Sequence, residues 1–503
     1  MNYKINPEGL NVVRLIDSRL VSYNIEMTEI TGGTFWKKYT PEQISGEEAF
    51  PPIGSLQDGF TALSGLMQYY PPIDLDSHKL RRLAKGLGPV WVRVSGTWAT
   101  KTYYDFDGLT RGVPPAGYAS VLTRQQWLSL LDFVKQVGAK LLISISNCAG
   151  DHPYNGPLDL SQAKKIFELS HRHGVDIAAI EFMNEPNMLS MSGAPENYTA
   201  ADYARDQDLL YGWVNENYPD CILVGPCTTG DPNVISGETR GFGAGIASMA
   251  KTCTTEELLA GTKIPLDVFS YHYYNGVSER LASVMPEAHW PAELAASDEY
   301  LAMAQICARK HAQICDRIMP GSALWVTESG DAGGGGNTWA STYLDVLRTL
   351  NELGSFSMVS DGVIFHNTLA SSDYGFLDHE SFEPRPNYYA VLLWNRLMGQ
   401  LVYDCKNPGV EGAHVYCHSR RDKKDGLCYL VINNSECEPT TIELPKNAKR
   451  YTLSADSMRS SSIRLNGRIM TEHVLRQSFE DLAVTEEAGI ISLAPGSCTF
   501  LVI

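Results

Sequence analysis

The feature that most restricts the fold is a series of eight short apolar runs, each bounded by polar, Gly or Pro signals. They are Leu20–Glu26, Val90–Ser95, Lys140–Ser146, Ala178–Asn184, Ile222–Gly225, Asp267–His272, Ala323–Glu328 and Gly362–His366. Runs of this length with near-continuous apolar character suit strands buried on both faces, as in parallel sheets. Helix-like stretches lie between them. Arg124–Val137 follows Thr123 as N-cap, Ser161–His173 stops at Gly174, and Thr338–Leu353 stops at Gly354. Eight strands alternating with helices specify an α/β fold, a (β/α)₈ barrel over residues 18–388.

After about Tyr389 the texture changes. His414–Cys417, Cys428–Asn433, Thr440–Leu444 and Thr499–Ile503 alternate or carry β-branched residues, with turn signals between them. They predict a C-terminal antiparallel β-sandwich over residues 389–503, and Asn11–Ile16 has the same character, so residues 1–17 are assigned to it. No low-complexity linker separates the parts, which predicts a packed interface.

Several function classes are excluded early. The net charge is −17, and the densest cationic run, Arg420, Arg421, Lys423 and Lys424, is broken by Asp422 and Asp425 and reads as a hairpin tip. Nucleic acid would be repelled over most of this surface, and so would densely sulfated polymers. No apolar run reaches the ~18 residues that a bilayer span needs. The chain opens MNYKINPEGLNVV with no visible signal peptide, and its 11 cysteines show no CxxC pair. Free thiols in a cytoplasmic, reducing setting are expected.

A (β/α)₈ barrel builds its site at the C-terminal ends of its strands. The fourth run ends IEFMNEPN, placing Asn184 and Glu185 at the rim, and the seventh ends LWVTESG, placing Glu328 there. Each piece alone is weak, because Pro after a strand often marks only a turn. Two glutamates on strands four and seven face each other across the mouth, the arrangement of a retaining glycosidase with carboxyls ~5–5.5 Å apart. Crowding also separates their pKa values, which keeps one of them protonated. The sixth run, DVFSYHYYNG, brings His272 and Tyr274: Tyr274 as a donor to Glu328, His272 as support for that geometry or for a sugar hydroxyl.

The chain resembles the heparanase and β-glucuronidase family of glycoside hydrolases, family 79. The resemblance runs through VSYNIEMT, VWVRVSGTW, IEFMNEPN, DVFSYHYYNG, VTESGDAGGGG and SSDYGFLD…PRPNYYAVLLWNRLMG, and the last segment is the most specific. It implies that Glu185 is the acid/base and Glu328 the nucleophile, with Asn184 at the sugar 2-hydroxyl. It also implies that Tyr274 and His272 are the strand-six pair, and that Glu26 and Thr97 contact the sugar being cleaved. The glycine run Gly333–Gly336, in particular Gly334, Gly335 and Gly336, and Tyr374 fall on the elements that hold a uronic acid carboxylate. That has physical sense: no Arg or Lys lies beside the motifs on strands four, six or seven, and successive glycine N–H groups can form an anion nest. The run lacks the GK[ST] ending of a phosphate loop.

Departures from the family pattern are Glu26, where animal heparanases carry aspartate, and Trp98, where they carry lysine. The basic patches that grip heparan sulfate are not evident either. The expected activity is exo-cleavage of terminal β-linked glucuronic acid through a covalent intermediate, without metal or cofactor. The alternatives are endo-acting heparanase-like cleavage, a retaining β-glycosidase for a neutral sugar, and a non-catalytic carbohydrate-binding protein. His171 and His173 read as helix-end residues complementing the dipole; Cys417, His418, Cys428 and Cys437 lack zinc-like spacing. Trp36, Trp98, Tyr103 and Tyr104 are either sugar-stacking or core residues.

Overall fold

The computed structural model describes residues 2–53, 65–189, 191–235, 252–406, 411–422, 424–474 and 479–503. Eight parallel strands close into a barrel: Val21–Glu26, Trp91–Ser95, Lys140–Ser144, Ile177–Glu181, Ile222–Thr228, Val268–Tyr274, Ala323–Gly330 and Ile364–His366. Each coincides with one of the eight apolar runs. The last strand pairs with the first through Ile364↔Val21 and His366↔Tyr23, which completes the ring.

Side chains two apart on a strand share a face, and this alternation divides the barrel interior into layers. Trp91, Leu142, Ala179, Val224, Val268, Trp325 and Phe365 form an apolar plug. Two residues further along the same strands come Arg93, Ser144, Glu181, Ser270 and Thr327, all buried. The residues beside these plug positions on the same strands, Val92, Ile143, Ile180, Phe269, Val326 and Ile364, point outward into the large core beneath the helices. The barrel is therefore dry at one end and polar toward the other, where the strands end.

The helices follow their local signals with one exception. Arg124–Val137 starts at Thr123, whose side chain accepts from Gln126 N–H in a capping box, and ends at Gly138 with φ +70°. Ser161–Arg172 is capped by His173 and followed by Gly174 at φ +78°. The third helix, expected at Thr338–Leu353, instead spans Leu344–Ser357 and runs straight through Gly354. Gly354 is not a stop. Its missing side chain admits the Tyr416 ring from the C-terminal sheet, and a Cβ there would lie 2.5 Å from Tyr416 Cδ2.

The C-terminal strands form an antiparallel sheet in the order Val12–Leu15, Met398–Tyr403, Ala413–Arg420, Leu427–Asn433, Ser497–Val502, Ala448–Ser454, with short strands beyond. A second sheet joins Asn2–Lys4, Thr440–Leu444 and Gly489–Leu493. Ile5, Val415, Cys417, Tyr429, Val431, Ile442 and Leu501 fill the space between the sheets. The cationic run lies at the turn between Ala413–Arg420 and Leu427–Asn433, where Arg420 pairs with Asp422; Lys423 lies outside the described residues. The barrel meets this region through helix Leu344–Ser357: Tyr416 Oη–H donates to Asn351 Oδ1 at 2.8 Å, and Ser357 Oγ contacts His418 Nε2 at 3.2 Å. No described helix is long and apolar enough to cross a membrane.

Candidate active site

Glu328 lies within the seventh barrel strand, so its carboxyl is placed by regular backbone. Its Oε1 accepts from Tyr274 Oη–H at 2.5 Å and from Asn367 Nδ2 at 3.3 Å, while Arg93 Nη1 donates to Oε2 at 3.1 Å. These donors fix the orientation of the Glu328 carboxyl group. Glu185 is held differently. The fourth strand ends at Glu181, and Glu185 sits four residues on in the left-handed region, φ 46° and ψ 53°. A bulky residue holds that conformation only where its surroundings enforce it. Here Asn187 clamps the segment onto the end of strand five, donating from Nδ2 to Thr229 O at 2.6 Å and accepting Thr229 N–H at Oδ1 at 3.0 Å.

Glu185, His272 and Glu328 each bring one ligating atom within 4.8 Å of the others. Burial pushes the Glu185 carboxyl up to about 7, against a smaller lowering by Arg93. His272 lies beneath both glutamates, with Nδ1 3.0 Å from Glu185 Oε1 and Nε2 3.2 Å from Arg93 Nη2. Burial lowers its pKa to about 4, so the ring is neutral near pH 7. A guanidinium can only donate. Nε2 is therefore the acceptor, and Nδ1 carries the proton that it donates to Glu185. Both ring nitrogens are occupied within the protein.

Arg93 is the centre of this arrangement and was missed by the sequence reading. It is fully buried, donates from Nε to Glu181 Oε2 at 2.8 Å, and from Nη2 to Asn184 Oδ1 at 2.9 Å. Asn184 is thus turned with its oxygen inward, and among the described residues no group accepts its amide hydrogens, which are the donors left for a ligand. A second group with metal-like spacing is Glu181, Cys227 and His272. In both groups the guanidinium of Arg93 stands where a cation would be needed: it bonds Glu181 and Glu328 and faces the His272 ring. An arginine inside the apolar run VWVRVS was the available signal.

Glu26 ends the first strand against Gly96, where a Cβ would lie 1.6 Å from Glu26 Oε2. Burial, then Glu328 and Glu29, raise its pKa well above the usual carboxylate range. Thr97 follows Gly96 in the turn after strand two and is half-buried. Neighbouring Trp98 packs edge-on against Phe35, Trp36 packs on Gly335, and Tyr104 is core.

The glycine run follows strand seven. Gly334, Gly335 and Gly336 have φ of +88°, +87° and +85°, a region that excludes ordinary side chains. Their carbonyls are tied down: Gly334 O accepts from Ser278 Oγ and Arg280 Nη1, Gly335 O from Ser372 Oγ, and Gly336 O from Arg280 Nη1 and Tyr39 Oη. Among the described residues, no acceptor pairs with the N–H of Gly334 or Gly335. Contrary to the expectation that no Arg or Lys lies beside the strand-six motif, Arg280 follows it closely and is buried behind this loop. Its charge is committed to Asp373 at 2.6 Å and to the Tyr39 ring at 3.7 Å. Tyr374 packs with Tyr274 and Ala340, and its hydroxyl lies 3.1 Å from Asn367 Nδ2. Asn367, just past strand eight, was also missed. His171 and His173 face separate carboxylates, Asp176 and Asp132, away from this site.

A closed parallel barrel with two buried glutamates, one just past its fourth strand with a raised pKa and one on its seventh held by three donors, defines a barrel glycosidase. The profile for glycosyl hydrolase family 79, N-terminal domain, matches residues 71–354, and the chain belongs to that family. Among curated relatives, heparanase-like protein 1 of Arabidopsis thaliana is 25% identical over 78% of this chain and 70% of its own length. Baicalin-β-D-glucuronidase of Scutellaria baicalensis is 24% identical over 79% and 77%, and hyaluronoglucuronidase of Hirudo nipponia 22% over 90% and 95%. The fold is shared across full length with a 4-O-α-L-rhamnosyl-β-D-glucuronidase from Fusarium oxysporum 12S, at 13% identity and TM-score 0.61, covering 100% of both chains.

Proposed function

We propose that this glycoside hydrolase is a retaining, exo-acting β-glucuronidase. Glu185 donates its proton to the departing glycosidic oxygen while Glu328 attacks the anomeric carbon. Glu185, now ionised, then takes a proton from the water that cleaves the glycosyl ester and releases glucuronic acid. Oxygens of the two carboxyls within 4.8 Å of each other favour this double displacement over an inverting pair, which must stand ~6.5–9.5 Å apart to admit water.

The observation that carries the uronate reading is the glycine loop. Among the described residues, two N–H groups there have no protein acceptor, and the Tyr374 hydroxyl belongs to the same hydrogen-bond network as Glu328. An anion bound by such dipoles needs no paired cation of its own. The plant baicalin-β-D-glucuronidase, the leech hyaluronoglucuronidase and the fungal rhamnosyl-β-D-glucuronidase agree with this substrate class. A net charge of −17 argues against long sulfated polymers and for small glucuronides.

The test is a pair of aryl substrates. Much faster release of 4-nitrophenol from the β-glucuronide than from the β-glucoside supports the reading, and the reverse selectivity sinks it. Tyr374→Phe should weaken glucuronide turnover by about 10-fold more than glucoside turnover, as expected for one lost hydrogen bond to a charged group.

A further inference from the structure

Asn367 lies just past the eighth barrel strand, tied by its backbone N–H to Ser329 O at 2.8 Å, and is 1% exposed. Its Nδ2 stands 3.0 Å from Tyr274 Oη, 3.1 Å from Tyr374 Oη and 3.3 Å from Glu328 Oε1. Its Oδ1 accepts from Asn24 Nδ2 at 3.4 Å, and the same Asn24 nitrogen donates to Thr327 O at 3.3 Å. The amide orientation follows from these neighbours. A flipped Asn367 would set an amide oxygen against the Glu328 carboxylate and an N–H₂ group against that of Asn24.

The direction of each hydrogen bond now matters. Tyr274 spends its single proton on Glu328, so its oxygen accepts from Asn367. Tyr374 oxygen also accepts from Asn367, and among the described residues no protein group accepts the Tyr374 proton. Burial and then the nearby Glu26 and Glu328 hold that proton on the hydroxyl. We propose that Asn367 is a positioning residue that also sets specificity: one side-chain amide aims the Glu328 carboxylate and obliges Tyr374 to present its proton to the substrate. The second half rests on Tyr374 contacting the uronate carboxylate, and the first half does not.

The experiment compares Asn367→Asp, Asn367→Ala and Asn367→Gln with the wild type, using 4-nitrophenyl β-glucuronide and β-glucoside. Asn367→Asp exchanges an N–H₂ donor for an acceptor that captures the Tyr374 proton. Glucuronide kcat/KM should fall by about 100-fold, as for a charge-assisted hydrogen bond lost or reversed, with a much smaller fall for the glucoside. Asn367→Ala should lower kcat on both substrates and raise KM on the glucuronide alone. Asn367→Gln, which keeps the donor, should restore part of the glucuronide preference. Thermal melting identifies folded variants, and Asn367→Ala carries the test if the aspartate variant does not fold. Equal losses on both substrates in folded variants overturn the specificity half, and an unchanged kcat overturns the positioning half. A wild type that cleaves the glucoside and not the glucuronide refutes the uronate reading itself, a separate result from a glucuronidase indifferent to position 367.

Discussion

The protonation of Glu185 can be tested directly, because burial holds it near 7 instead of the ordinary 4.5. At pH 7 a glutamic acid with the ordinary value is roughly 0.3% protonated, whereas one at about 7 is half protonated. Burial therefore raises the competent fraction by roughly 150-fold at neutral pH. The sign follows: the acid works while protonated, so activity is lost as pH rises through about 7, by about tenfold per unit above it. The assay is kcat/KM against pH with whichever aryl β-glycoside the enzyme turns over, using good and poor leaving groups. Glu185→Ala should abolish the alkaline limb and slow the poor leaving group by about 10²–10⁴-fold, with little effect on bond cleavage for the good one. An alkaline limb that survives in Glu185→Ala belongs to another group. A wild-type limb near 4.5 would mean that burial does not govern this carboxyl, and either result refutes the reasoning.

Glu328→Ala should abolish turnover while substrate binding, measured by calorimetry, persists; surviving activity would move the nucleophile elsewhere. Arg93→Met leaves Glu181 and Glu328 as buried carboxylates without their cation, a change that typically costs about 3–5 kcal/mol, so a lower melting temperature should accompany lost activity. Gly354→Ala drives a methyl into the Tyr416 ring and should lower the melting temperature with kcat/KM unchanged; an unchanged melting temperature would show that the helix and sheet separate freely there.

The apolar runs were legible because strand burial leaves a local record: side chains two apart share a face, and all eight runs reappear as barrel strands. The same locality explains why Glu185 and Glu328 stood out, since each closes such a run in a turn-like context. Thr338–Leu353 was misplaced for the complementary reason. A glycine is an expected helix terminator, and only the Tyr416 ring, 62 positions away in the chain, shows why this one lies inside a helix.

What the sequence determined alone, then, is the order of strands and helices and the two carboxylates at the strand ends, because both rest on spacing along the chain. What tertiary structure decided is how those carboxylates are held. Arg93 reaches Glu328 across 235 positions, Tyr274 reaches it across 54, and Asn367 joins it to Tyr374. Strands one, two, six, seven and eight become neighbours around one interior only when the barrel closes. A buried arginine between two glutamates, a histidine fixed in one tautomer and a glycine loop with two N–H groups that no described residue accepts are consequences of that closure.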